Sequence, residues 1–283
     1  MDFASWGLRK APFERSFALD RFFAGPAHEE ALSRLLFLVE ESRRLGMLIG
    51  PAGTGKTYLL KNLQQRADRL GMLTIRCDIS GADGDELIQQ VATGFLIDSH
   101  HQTAISQLWT RLRERLSALA LVQQPVVVII DHFDQVEISC QRAVCRLGQF
   151  ADAAGAKLTT VLATRDRLIP TVLRDSIDLR IDLVPWSVDE TVQFVRQAMS
   201  QAGAQRTIFT DDALDAICDQ TNGVPTHVVT LCSLCLIAGI AAGESVITRE
   251  LVESIRRELL LSSDEREPRR RTFSDRATSA STT

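Results

Sequence analysis

A chain of 283 residues is long enough to bury a substantial core, and its 45% hydrophobic and 24% charged residues are the make-up of a globular fold. With 32 Lys and Arg against 36 Asp and Glu, the net charge of −4 excludes a global pull toward nucleic acid or an anionic membrane, so any such partner needs a local patch. The six cysteines lie in apolar or helical contexts with no signal peptide before them, and read as reduced thiols of a cytoplasmic protein.

Residues 1–26 read as an amino-terminal arm that mixes aromatics with Pro12 and basic residues. His28 to Arg44 then carries Leu32, Leu35, Leu36 and Val39 at helical spacing. Leu45 to Ile49 is a short apolar run entering a glycine loop, and Lys56 to Leu70 is helical, with Leu59, Leu60 and Leu63 on one side. Leu73 to Cys77 predicts a strand, Asp85 to Phe95 a helix, and Leu108, Trp109, Leu112, Leu116 and Leu119 mark the apolar face of a further helix from Ile105. Arg111 and Arg115 fall on its other side, a solvated face.

Val126 to Ile130 is continuously apolar and β-branched, as expected of a parallel-sheet strand covered on both faces. Leu158 to Ala163 and Leu179 to Val184 supply two more strands, which makes the expected fold α/β: a parallel five-stranded sheet flanked by helices, spanning 27–185. After Pro185 the pattern is helices only: Val188 to Ala202, Asp211 to Gln220, Val224 to Ala242 and Thr248 to Leu261, an all-helical lid over 186–261. The apolar run Val228 to Ala242 is shorter than the roughly 20 residues of a membrane span, so it reads as a buried helix, and Cys232 and Cys235 within it as helix filler rather than a metal or redox pair. Residues 262–283, with Arg269, Arg270, Arg271 and Phe273 among polar residues, read as a disordered, solvated tail.

The loop Gly50-Pro51-Ala52-Gly53-Thr54-Gly55-Lys56-Thr57, continued by Tyr58, stands between a strand and a helix. Its glycines permit backbone turns closed to residues with a Cβ, so successive N–H groups can face phosphate oxygens, and the helix adds its positive end. That pattern predicts a site for the phosphates of ATP, with Lys56 reaching the β- and γ-phosphates and Thr57 ligating magnesium. Asp131, after the strand Val126 to Ile130, is expected at the carboxyl edge of the sheet as the second magnesium group. Many such ATPases carry Glu next, but here the residue is His132. Three readings stay open: His132 handles the attacking water, Asp134 does, or hydrolysis is slow and ATP acts mainly as a conformational ligand.

The chain up to about Leu261 resembles the AAA+ ATPases of the general secretion pathway protein A type, which are similar to transposition ATPase subunits. Phe3, Trp6-Gly7-Leu8, Pro12-Phe13, Phe22-Phe23, His28 and Ala31-Leu32 carry the opening part of the resemblance. The loop, Asp131, Leu173-Arg174 and Gly223-Val224-Pro225 carry the rest. The resemblance implies that Phe23 and His28 border the adenine, that Thr164 is the polar sensor near the γ-phosphate, and that Arg174 is an arginine finger reaching a neighbouring subunit, hence a homo-oligomer. The chain departs from the pattern at His132 and at Thr226, where a lid arginine is usual. The expected function is ATP binding with slow, magnesium-dependent hydrolysis that switches an assembly acting on another macromolecule, protein or DNA. The alternatives are a nucleotide-dependent binding module without turnover and, more weakly, a small-molecule kinase.

Overall fold

The structure, a computed structural model, describes residues 3–13, 23, 25–98, 104–134 and 136–264. Strands β1 (Leu45–Ile49), β2 (Leu73–Asp78), β3 (Val126–Asp131), β4 (Leu158–Thr164) and β5 (Leu179–Asp182) form one parallel sheet in the order β2-β3-β4-β1-β5. Helices α1 (Pro26–Glu40) and α2 (Lys56–Arg69) cover one face; α3 (Gly84–Gly94), α4 (Ile105–Leu121) and α5 (Ile138–Ala154) cover the other.

Strand β3 shows why its sequence is apolar without alternation. Val126, Val128 and Ile130 belong to the core under α3, α4 and α5, while Val127 and Ile129 belong to the core under α1 and α2. Period-2 geometry splits one run between two layers. On the α2 side Leu59, Leu60 and Leu63 are fully buried, each contributing about 1.5–3 kcal/mol of hydrophobic stabilisation.

The α/β architecture matches the expectation, with differences at the element ends. Asp131 and Thr164 are the last residues of β3 and β4 rather than the first beyond them, so both are fixed by the sheet ladder. β5 stops at Asp182, short of Val184. α1 starts at Pro26, where proline suits a first helical position, and ends at Glu40, before Ser42 at φ +49. Sequence reading found no element between Asp134 and Leu158, yet α5 fills it. Its buried face is Cys140, Ala143, Val144, Leu147 and Ala151, mostly small residues whose weak apolar signal hides the period.

Four helices follow the sheet: α6 (Val188–Ala202), α7 (Asp211–Thr221), α8 (Pro225–Ala242) and α9 (Arg249–Asp264). The Ser187–Glu190 capping box starts α6, and Gly203 at φ +97 ends it. The arm is packed into this helical layer. Trp6, Leu8 and Phe13 are buried in its core, Trp6 Nε1 donates to the Leu236 carbonyl (3.1 Å), and Ser233 Oγ donates to the Phe13 carbonyl (2.9 Å). Helix α8 spans 18 residues at mean hydropathy 1.8, so length and composition alone would let it cross a membrane, and shortness does not exclude a span. It packs instead through Val228, Leu231, Cys232, Cys235 and Leu236 against the other lid helices. The two cysteines are thus buried filler. The last helix continues through Asp264, past the expected end at Leu261, and the rest of the expected tail, from 265 on, lies outside the described residues.

Candidate functional site

Because β1, β3 and β4 are adjacent and parallel, their carboxyl ends deliver three segments to one edge. These are the glycine loop after Ile49, the pair Asp131-His132, and Thr164-Arg165. Gly50 N donates to the Thr164 carbonyl (3.1 Å) and Leu183 N to the Ile49 carbonyl (2.6 Å), which anchors the loop between β4 and β5. A side chain at Gly50 would stand 2.6 Å from the Leu183 carbonyl, so only glycine fits. Gly53 and Gly55 have φ of +80° and +98°, and their turns start α2 at Lys56.

A cleft of about 590 Å³ opens at this edge and runs between the arm and the lid. Ala52, Gly53, Gly55, Lys56, Thr57 and Tyr58 line it, with Asp131, His132 and Asp134 opposite. The remaining loop residues brace it from behind: Thr54 is fully buried and its hydroxyl donates to the Pro51 carbonyl (2.9 Å). Lys56 Nζ lies folded onto the carbonyls of Gly50 (2.6 Å) and Pro51 (2.9 Å), and burial lowers its pKa from the ordinary lysine value against the pull of Asp134 and Asp131.

The Asp131 side chain is 2% exposed, and it receives Arg76 Nη2 at Oδ2 (3.2 Å) and the His132 N–H at Oδ1 (3.0 Å). His132 sits at φ +58, a left-handed conformation costly for a residue with a Cβ. Its Nδ1 is 2.9 Å from Asp78 Oδ1. A carboxylate at Nδ1 leaves Nε2 as the other ring nitrogen to meet solvent or substrate. Arg76 and Asp78 are two apart on β2, hence on the same side of the strand beside β3. Sequence reading passed over both, although two opposite charges at that spacing in a short strand were a usable signal.

Asp134 is differently placed. Thr164 Oγ1 donates to its Oδ1 (3.1 Å), the Arg165 backbone N–H also donates to Oδ1, and Arg165 Nε donates to Oδ2 (2.9 Å). Burial pushes its pKa up, but the donors from Arg165 and Thr164 outweigh that and hold the carboxyl below the usual range. Oδ1 accepts two of these donors and Oδ2 one, so most of the acceptor capacity of the carboxylate is taken up within this cluster. Thr164 is buried one hydrogen bond behind the cleft wall. Arg174, in a 3-10 turn (Arg174–Ser176) after buried Leu173, is not part of this cleft.

At the far end the cleft is aromatic. Phe23 stands edge-on to Trp186 (5.5 Å between centroids) and Trp186 is 4.8 Å from Phe194; with Phe13 they line the wall. Phe22, expected beside Phe23, lies outside the described residues. His28 does not line the cleft. It is fully buried, its Nε2 is 2.7 Å from the Thr54 carbonyl, and burial lowers its pKa, so a neutral ring donates to the loop from below. From the lid, the Thr226 hydroxyl donates to the Gly53 carbonyl (3.0 Å), as does its backbone N–H (3.3 Å). Trp186, Phe194 and Arg165 were not anticipated as cleft residues, since only the chain's path through arm and lid brings them together.

A parallel sheet in this order, a glycine loop opening onto a helix, an acid at the end of the neighbouring strand and a helical region beyond define the AAA+ class of P-loop ATPase folds. Residues 39–171 match the family described as an AAA domain, and the chain resembles an AAA+ ATPase of the general secretion pathway protein A type. It is 24% identical over 249 residues to general secretion pathway protein A of Aeromonas hydrophila, covering 86% of this chain and 45% of that protein. The chain therefore spans about half the length of that relative. Among solved structures it is similar to Drosophila ORC bound to DNA (TM-score 0.64, 15% identity, 86% of this chain and 63% of that one). It is also similar to Cdc6p from Pyrobaculum aerophilum (TM-score 0.62, 18% identity, 87% and 68%) and to the Thermotoga maritima RuvB Holliday junction branch migration motor (TM-score 0.53, 18% identity, 87% and 72%).

Proposed function

We propose that this chain binds ATP with magnesium and hydrolyses it slowly, and that the bound nucleotide switches an oligomeric assembly acting on another macromolecule. One observation carries the reading: the glycine loop, Asp131, His132 and the lid residue Thr226 converge on one cleft whose other end is aromatic. Phosphates suit the loop amides and Lys56, and a purine suits the aromatic wall that Phe23, Trp186 and Phe194 form together at the other end of the cleft.

The donors available for magnesium are oxygens, the Thr57 hydroxyl and the Asp131 carboxylate, and both line the same cleft, a hard-ligand set that fits the ion. Magnesium would supply charge neutralisation along the phosphates. The chain's own contribution is positioning. Lys56 exchanges the Gly50 and Pro51 carbonyls for phosphate oxygens, and Arg76 holds the Asp131 carboxylate in place. His132, steered by Asp78, accepts a hydrogen bond from the attacking water and aligns it with the γ-phosphate. Arg174, exposed and away from its own cleft, suits a finger toward a neighbouring copy. Two of the fold relatives are described as bound to DNA or moving a DNA junction, which supports a macromolecular partner of the assembly.

A second reading is favoured by Thr226. It binds the loop itself instead of presenting a cation to a phosphate, so lid position can follow occupancy without turnover. A steady-state phosphate-release assay separates the two. Release abolished by Lys56→Ala supports hydrolysis; tight ATP binding with no release above that variant supports the binding module. Light scattering with ATP and magnesium that finds only monomer at micromolar concentration removes the finger role of Arg174.

A further inference from the structure

The lid carries a groove of about 620 Å³ between α6 and α7 that the nucleotide reading does not use. Its floor is apolar: Val188 is 58% exposed at the start of α6, and Val192 and Leu214 continue the strip between the two helices. Its walls are acidic. Asp189 stands on α6 and Asp211 and Asp215 on α7, against the lining cation Arg196, whose Nη2 is already bound to Asp211 Oδ1 (2.9 Å). Along its whole length α7 carries Asp211, Asp212, Asp215 and Asp219 and no Lys, Arg or His, so the negative charge of that wall is not offset from within the helix. The chain beyond the last helix has the complementary make-up. Residues 268–273 read Pro-Arg-Arg-Arg-Thr-Phe, three cations followed within two residues by a large apolar side chain.

We propose that the segment from Arg269 to Phe273 seats in the α6–α7 groove of its own chain, the arginines against Asp189, Asp211 and Asp215 and the Phe273 ring on Val188, Val192 and Leu214. The length of chain permits it. Phe209 and Ile247 are bridged in parallel and Thr210 N donates to the Ile247 carbonyl (3.1 Å), so α7 and α9 start side by side, next to the Asp211 end of the groove. The 16 residues of α9 are about 24 Å long, and the nine residues from Asp264 to Phe273 span up to about 30 Å, enough to come back to the groove. A short tether holds the segment at roughly millimolar effective concentration, so a few exposed ion pairs and one ring suffice where a separate peptide would bind weakly. The ring also takes out of water the apolar strip that α6 leaves open. Gln197 lines this groove and the ATP cleft alike, so the seated segment and the nucleotide share a wall.

The test puts a photoreactive side chain on the full chain, Phe273→p-benzoylphenylalanine, and maps the ultraviolet cross-links by mass spectrometry at low salt. They should join position 273 to residues 188–197 or 211–215 of the same chain, and salt of about 0.5 M should lower their yield, since exposed ion pairs are screened. Arg269→Ala, Arg270→Ala and Arg271→Ala together, which follow the last helix, should lower the yield about threefold or more. Asp189→Asn with Asp215→Lys, two exposed positions on the groove walls, should do the same, an unchanged urea midpoint showing that the lid is folded. Cross-links at the groove that join two chains assign it to a second copy and overturn the proposal. So do cross-links spread over other surfaces, none at all, or a yield that the arginine substitutions leave unchanged.

Discussion

Gly223 stands between α7 and α8, where the chain turns from the lid back toward the glycine loop. It has φ +65 and follows Asn222 at φ +48; its carbonyl accepts the Trp186 N–H (2.9 Å). A Cβ there would lie 1.9 Å from the Trp186 carbonyl oxygen and 2.9 Å from its carbon, whereas real Cβ contacts stay beyond 3.0 Å. Both partners are backbone, so no side chain can swing aside. Gly223→Ala therefore combines the left-handed penalty of about 1–2 kcal/mol with an overpacking cost of about 1–3 kcal/mol, roughly 2–5 kcal/mol in all. Gly243 is the control: φ is +68 there too, but nothing lies within 4 Å of the place a Cβ would take, so Gly243→Ala should cost only the first part, about 1–2 kcal/mol. Urea titrations of both variants give the difference. Displacing 223–226 also draws Thr226 off the Gly53 carbonyl, so nucleotide affinity should fall in the first variant and not in the second. Equal stability losses at the two glycines would refute the steric account of the Gly-x-Pro turn.

Two further outcomes are expected. Arg76→Met leaves the Asp131 carboxylate, 2% exposed, without its ion partner; because Arg76 is itself 23% exposed, the loss should be about 2–4 kcal/mol rather than that of a fully buried pair. Adding Asp131→Asn should recover part of it in a double-mutant cycle, and strictly additive losses would show that the pair does not couple. Burial pushes the Cys77 and Cys235 thiols from 9.0 up to about 12. A raised folded pKa gives stability that is complete below the unfolded value and is lost as pH rises, here between about 9 and 12. The loss should run at about 1.4 kcal/mol per pH unit for each thiol. Cys235→Ala should flatten the fall in urea stability over that window by one thiol's share, and an unchanged slope would contradict it.

Much of the fold was legible because its signals are local. Val126 to Ile130 could only be a strand covered on both faces, since five adjacent apolar, β-branched residues leave no side for water. The glycine loop was legible for a related reason: its chemistry is backbone chemistry, and a backbone that must turn at positive φ restricts its own sequence. Helix α5 was not legible. Cys140, Ala143 and Ala151 are too small to stand out from their neighbours, and only the groove beside β4 and α3 makes that face an interior one.

The outer parts of the site were decided by tertiary structure alone. His28 looked like a base-side residue from its place in the arm, but the start of α1 carries it under the loop, where burial keeps it neutral and turns it to the Thr54 carbonyl. Arg76 and Asp78 on β2 reach Asp131 and His132 at the end of β3, and Arg165 just past β4 reaches Asp134, and these groups gather beside the loop only because β2, β3, β4 and β1 lie side by side. What the sequence determined by itself is where phosphates can be cradled, because that depends on eight consecutive residues. Which charges face them depends on strand order and on how arm and lid close over the edge, and those are set by packing between segments distant in the sequence.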